Sequence, residues 1–125
     1  MTKVMPQEIE VWYLIPSLRR ELAKIFVKDY NLSQKEAAQI LGLTEAAVSQ
    51  YSKSKRAIEL KFTKEEQALV KETAVKIMKE KDKVMEHMYN ACTVLRGSKT
   101  ICDLHRRYEK GIPAGCDICM EQVKT

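Results

Sequence analysis

Residues Leu32–Arg56 read LSQKEAAQILGLTEAAVSQYSKSKR, and the fold turns on this stretch. Ser33 followed three positions later by Glu36 is a capping-box spacing, in which the serine oxygen and the glutamate carboxylate satisfy two N–H groups that open a helix. A short helix over Gln34–Leu41 follows. Gly42 can take the left-handed conformation that ends a helix, and Thr44 is an N-cap for another helix running to about Ser52. Helix, tight turn and helix therefore occupy about twenty residues.

Working outward, Leu18, Leu22, Ile25, Phe26 and Tyr30 recur at helical spacing upstream of this unit, with Arg19, Arg20, Lys24 and Lys28 on the other faces. They predict an amphipathic helix that starts near Pro16 and ends near Asn31. The segment before it, IEVWYLI (Ile9–Ile15), is compatible with a short strand or a buried helical lead-in. Trp12 and Tyr13 are candidates there for a core anchor or a dimer seam. Downstream, SKSKR (Ser52–Arg56) is polar and basic, and Ala57–Phe62 is a linker before Thr63, whose spacing to Glu66 makes a second capping box. From Thr63 a stripe of Leu69, Val70, Ala74, Ile77, Met78, Val84, Met85, Met88, Cys92 and Leu95 follows one helical face, interrupted at Lys81-Asp82-Lys83. One helix or two would both fit. The methionines are expected in the core, and His87 is expected to be a solvated or packed helix residue.

The chain has 125 residues, 45% of them hydrophobic and 31% charged, which describes a folded chain and excludes a disordered one. Its 22 basic against 17 acidic side chains leave a formal net charge of +5, favouring polyanionic partners. No apolar run approaches the ~18 residues of a membrane helix, and Met1–Pro6 lacks the shape of a secretion signal, so a cytoplasmic protein without membrane contact is expected. No Gly-rich phosphate loop, paired-carboxylate motif or nucleophile–base arrangement is present. The expectation is a protein that is not an enzyme and has no small-molecule substrate.

All four cysteines fall in the last third, at Cys92, Cys102, Cys116 and Cys119. In a reducing compartment they call for metal, redox chemistry or burial rather than disulfides. Cys116-Asp117-Ile118-Cys119 can offer two thiolates to one metal from a tight turn, and Cys102-Asp103-Leu104-His105 repeats the spacing with imidazole as the second ligand. Two ligand sets follow. Cys102, His105, Cys116 and Cys119 would bind zinc and leave Cys92 as a buried thiol, whereas Cys92, Cys102, Cys116 and Cys119 would hold an iron–sulfur cluster, expected as [4Fe-4S], or a zinc ion. The ten-residue gap between Cys92 and Cys102 and the apolar Ile101, Leu104, Ile112, Ile118 and Met120 favour the cluster. Disulfide exchange by Cys116 and Cys119 lacks a thioredoxin-like context.

The segment Leu32–Arg56 resembles the helix-turn-helix of the phage-repressor, or XRE-like, family. Gln34, Ala38, Gly42 and Val48 fall at that family's spacing: a polar opener, a small residue where helices cross, a glycine in the turn and a β-branched core residue. The resemblance implies that the helix from Thr44 enters the major groove of duplex DNA, with Ala37, Ile40, Leu41, Leu43 and Val48 turned inward. It leaves Gln34, Thr44, Glu45, Ala46, Ser49 and Gln50 to face bases and Lys53, Lys55 and Arg56 to meet phosphates. The phrases IPSLRRELAK, GLTEAAVSQYSKSKR and CDLHRRYEKGIPAGCDIC also make the whole chain similar to a group of small, mostly archaeal transcriptional regulators that join an XRE-like domain to a cysteine-bearing segment.

The combined expectation is a mainly α protein. Residues 1–62 would form the DNA-binding domain, and residues 63–125 a helical dimerisation segment with a small cysteine-ligated lobe. It would act as a homodimeric regulator sensing redox state or iron supply, or as a constitutive regulator or adaptor with structural zinc.

Overall fold

A computed structural model describes residues 5–53, 61–96, 98 and 100–102. Every regular element among the described residues is helical. The N-terminal run comprises α1 (Pro6–Ile9), a π-helical turn (Glu10–Leu14) and α2 (Ile15–Lys28), which follow one another without a break. The segment Ile9–Ile15 is thus helical rather than a strand, and the helix starts ten residues before Pro16. Pro16 supplies a reason for the π turn. It has no N–H to offer the carbonyl of Trp12, and its ring crowds that carbonyl, so widening the turn just before it keeps the helix running.

The run ends as its sequence predicts. Asp29 N–H donates to the Ile25 carbonyl at 2.8 Å, Asn31 adopts a left-handed φ of 56°, and Leu32 N–H reaches back to the Phe26 carbonyl at 3.1 Å. Asn is among the few non-glycine residues that tolerate this conformation, because its short side chain can bond locally. Then come α3 (Gln34–Leu41) and α4 (Glu45–Lys53), both packed on α2 and on each other.

The stripe after Thr63 resolves into two helices, α5 (Lys64–Lys79) and α6 (Val84–Arg96), joined by a single 3-10 turn at Lys81–Lys83. Glu80 breaks the first helix with φ −135° and ψ 67°, and its carboxylate lies 3.0 Å from His87 Nε2 across the turn. His87 is therefore a half-buried partner of the break. The break also shifts the stripe: Val84 and Met88 still pack on the core, whereas Met85 is 81% exposed.

The two helices double back on each other. Thr100, beyond the end of α6, donates to Glu66 Oε1 in the first turn of α5 at 2.6 Å. The Thr63–Glu66 capping box is present, with Thr63 N–H donating to the same carboxylate oxygen at 2.8 Å. Burial opposes ionisation of Glu66, but hydrogen bonds from Thr100, the Thr63 backbone and Ser98 outweigh it and hold the carboxyl below its usual range. A depressed native pKa stabilises the fold above the unfolded-state pKa, and that contribution is lost as pH falls through the native value. Thr100→Val should therefore lower stability near neutral pH and flatten its decline through the carboxylate range, read as urea midpoints at a series of pH values. An unchanged acid slope would contradict this role for Glu66.

One continuous core joins the parts. Leu14, Leu18, Leu22 and Phe26 from the N-terminal run are fully buried with Val70, Ala74 and Ile77 of α5, while Leu95 and Ile101 close the far end. Tyr13 is buried within it and Trp12 is 38% exposed, which separates the two aromatic candidates. The π turn packs on α6, where Arg96 Nε donates to Glu10 Oε2 at 3.0 Å. Buried residues on both sides of residue 62 share this core.

Candidate nucleic-acid interface

The α3–α4 unit is fixed by local bonds at each corner. Ser33 Oγ accepts from Glu36 N–H at 3.1 Å, and Ser33 N–H donates to Glu36 Oε1 at 3.2 Å. Gly42 has φ 71° and ψ 30°, and its N–H and that of Leu43 close α3 on the Gln39 and Ala38 carbonyls at 3.2 and 2.8 Å. No atom lies within 4 Å of a β-carbon built at Gly42. The need for glycine is therefore conformational, about 1–2 kcal/mol for a left-handed L-residue, and not steric. Thr44 Oγ1 then accepts from Ala47 N–H at 3.1 Å, starting α4.

These corners decide which side chains face out. Ala37, Ala38, Leu41 and Val48 are buried, and Ile40 and Leu43 are partly buried against the same core. Ala38 allows α3 to approach its neighbours closely, because a longer side chain there would force them apart. Gln34, Thr44, Glu45, Ala46 and Gln50 are exposed, and Ser49 is half-buried with an intramolecular partner. Thr44, Glu45 and Ala46 lie at the N-terminal turn of α4, where the helix dipole adds positive potential, while Gln34 opens α3 and Gln50 lies in the second turn of α4. Lys53 is the last residue of α4, while Lys55 and Arg56 lie outside the described residues.

A small groove of about 120 Å³ runs between α2, α3 and α4, lined by Arg20, Lys24, Lys28, Gln34 and Val48. Arg20 is paired with Glu21 at 3.2 Å, and Lys24 and Lys28 are exposed. These two lysines add cationic groups to the Gln34 flank that reading the 32–56 stretch alone overlooks. Their sequence signal is the i, i+4, i+8 spacing of Arg20, Lys24 and Lys28 on one helical face.

Of the four cysteines, Cys92 and Cys102 are described, both as free thiols, and Cys116, Cys119 and the alternative ligand His105 lie outside the described residues. Cys92 sits on the buried face of α6 at 7% exposure. Burial first, and then the neighbouring Glu10 carboxylate, push its thiol up to about 11, against the opposing pull of Arg96 and Arg19. Cys102 is half-buried. Among the described residues, no three metal-ligating side chains converge. No described helix is long and apolar enough to cross a membrane.

No family model, no curated protein and no solved structure matches this chain.

Proposed function

We propose that the protein is a DNA-binding transcriptional regulator that reads duplex DNA in the major groove with the first turns of α4. The observation that carries this reading is the outward cluster of Gln34, Thr44, Glu45, Ala46 and Gln50, held by two N-caps and a left-handed Gly42 while Val48 anchors the opposite face. Gln50 can pair with adenine, Glu45 can accept from cytosine N4, and the Ala46 methyl can meet a thymine methyl. Ser49, with its intramolecular partner, would contact DNA only by exchanging that bond. Lys24, Lys28, Lys53, Lys55 and Arg56 supply phosphate contacts, which set register and salt dependence rather than sequence.

One such helix reaches too few base pairs to select a site, so the regulator acts as a two-fold homodimer. The stripe from Leu69 to Leu95 is largely consumed inside the chain, and of the two candidate seams the N-terminal segment, with Val11 and Trp12 exposed, is the one proposed.

Selection from a randomised duplex pool tests the reading. A recovered palindrome with half-sites about one turn apart is expected. Gln50→Ala and Glu45→Ala should change the recovered bases, whereas the double change of Lys55 and Arg56 to Ala should weaken all duplexes and flatten the salt slope. A pool that stays random after selection would end it.

For the cysteine segment, Cys92 is packed into the core on the buried face of α6, which favours the zinc set Cys102, His105, Cys116 and Cys119, where it stays a packed thiol, over the four-cysteine iron–sulfur set. Zinc would order the lobe, and the regulator would then be constitutive with respect to redox state. Metal content of anaerobically prepared Cys92→Ala decides between the sets. Full zinc occupancy is expected, and brown wild-type protein bleached by this substitution would restore the cluster and its sensing role.

A further inference from the structure

A second cavity, of about 350 Å³, lies where α2, the α3–α4 turn and α6 meet. That volume falls at the small end of the ~300–1,000 Å³ typical of ligand pockets, room for one small molecule and not for a dinucleotide. Its two sides differ in chemistry. Ile15 of α2 and Ile40 and Leu41 at the end of α3 make an aliphatic side, and Gly42 adds no side chain beside them. The other side is α6, which contributes Met85, Met88, Tyr89 and Cys92. Those positions, i, i+3, i+4 and i+7, form one helical stripe, so three sulfur-bearing side chains and a phenol ring border the same space. Cys92 is buried there, whereas Met85 and Tyr89 are exposed and extend the stripe out of the cleft.

The charged side chains lining the cleft cancel, Glu10 and Asp82 against Arg19 and Lys81. Glu10 is also paired with Arg96 at 3.0 Å, and Arg19 has an intramolecular partner of its own. Lys81 and Asp82 are exposed neighbours in the 3-10 turn. The lining therefore offers no net attraction to either sign of charge, while its apolar sides penalise the desolvation of an ionised ligand. Sulfur narrows the class further. Thioether and thiol groups make favourable contacts with aromatic rings, and the unbranched methionine side chain adapts to the shape of what it meets.

We propose that this cleft binds a small uncharged aromatic molecule, its ring between Ile40 and the Met88–Cys92 stripe and its polar end at the rim beside Lys81 and Asp82. Because the turn that leads into α4 forms part of one side and α6 the other, such a ligand touches both the α3–α4 unit and the C-terminal hairpin. It thereby acts as the effector of the proposed regulator, a role that rests on the DNA-binding reading, whereas the binding site itself does not. A shift between the two sides on DNA binding changes the affinity for the ligand, and the linkage is reciprocal.

Tryptophol, tryptamine and indoleacetate share one ring system and carry neutral, cationic and anionic ends, and each is titrated calorimetrically into the full-length protein. Saturable one-to-one binding of tryptophol is expected, about fivefold tighter than either charged analogue. Phenethyl alcohol should bind about threefold tighter than its saturated counterpart cyclohexylethanol, although apolar burial alone would favour the saturated ring. Met88→Leu, which keeps the volume and removes one sulfur, should shrink that preference. Met88→Trp, which fills the cleft, should abolish binding, and if it fails to fold by circular dichroism, Ile40→Phe fills the same space from the other side. DNA affinity of the wild type should change about fivefold with saturating tryptophol. Absence of saturable tryptophol binding, or binding undiminished in a folded cleft-filling variant, overturns the site. A charged analogue that binds as tightly as tryptophol overturns the uncharged class, and a preference for cyclohexylethanol overturns the aromatic one. Tryptophol binding by a protein that binds no duplex leaves the site standing and removes the proposed function, while unchanged DNA affinity at saturation overturns the effector role.

Discussion

Phe26→Ala should lower the free energy of unfolding by about 3–5 kcal/mol, the range for removing a buried aromatic side chain. Phe26 is fully buried, and its ring meets Tyr30 edge-on at 6.2 Å between centroids. Its helix, α2, is packed on one part of its surface by α3 and α4 and on another by α5. The cavity would therefore open where the α3–α4 unit and α5 share a core. A loss of that size is a large fraction of the ~5–15 kcal/mol that stabilises a typical domain. Urea denaturation should show a lower midpoint with an unchanged slope. A loss below about 1 kcal/mol would mean that α2 is not the element on which the other helices are assembled.

Ala46→Glu should weaken duplex binding by about 100-fold, because it sets a carboxylate against the phosphates and base edges that α4 is proposed to approach. The position is exposed and in the first turn of α4, where an acidic side chain complements the helix dipole. Stability should therefore stay level while affinity falls, which separates a contact effect from misfolding. The defect should shrink at higher salt, since the repulsion is screened. Anisotropy titrations of a labelled duplex at two salt concentrations read both quantities. Equal affinity for wild type and variant would remove α4 from the interface.

The α3–α4 unit is legible in the sequence because its determinants are short-range. Ser33 and Glu36 cap each other three residues apart, Gly42 sits where a left-handed residue is required, and Thr44 bonds three residues ahead. Such contacts are written into the order of residues. The second capping box, Thr63 with Glu66, was visible for the same reason.

What the sequence hid depends on distance along the chain. Nothing local marks Glu10 as the partner of Arg96, 86 positions away, or Thr100 as a donor to the buried Glu66. The π turn needed knowledge that Ile9–Ile15 is helical before Pro16 could be read as its cause. The division of the long stripe at Glu80 lacks a glycine or proline, so Lys81-Asp82-Lys83 registered only as an interruption, and Met85 was misplaced in the core as a result. Lys24 and Lys28 fall only on the other faces of the first helix in the sequence, because their nearness to Gln34 arises from packing of α2 on α3. Of the five candidate metal ligands, Cys92 and Cys102 are described, and the burial of Cys92 against the core is set by packing that its spacing to the other cysteines does not encode.

Amide hydrogen exchange with and without the selected duplex tests the central claim most directly, since it maps the DNA-covered backbone without altering a side chain. Slowed exchange confined to Ser33–Lys53 and the Lys24–Lys28 edge of α2 is the predicted result. Unchanged exchange across α3 and α4, or protection confined to α5 and α6, would contradict it.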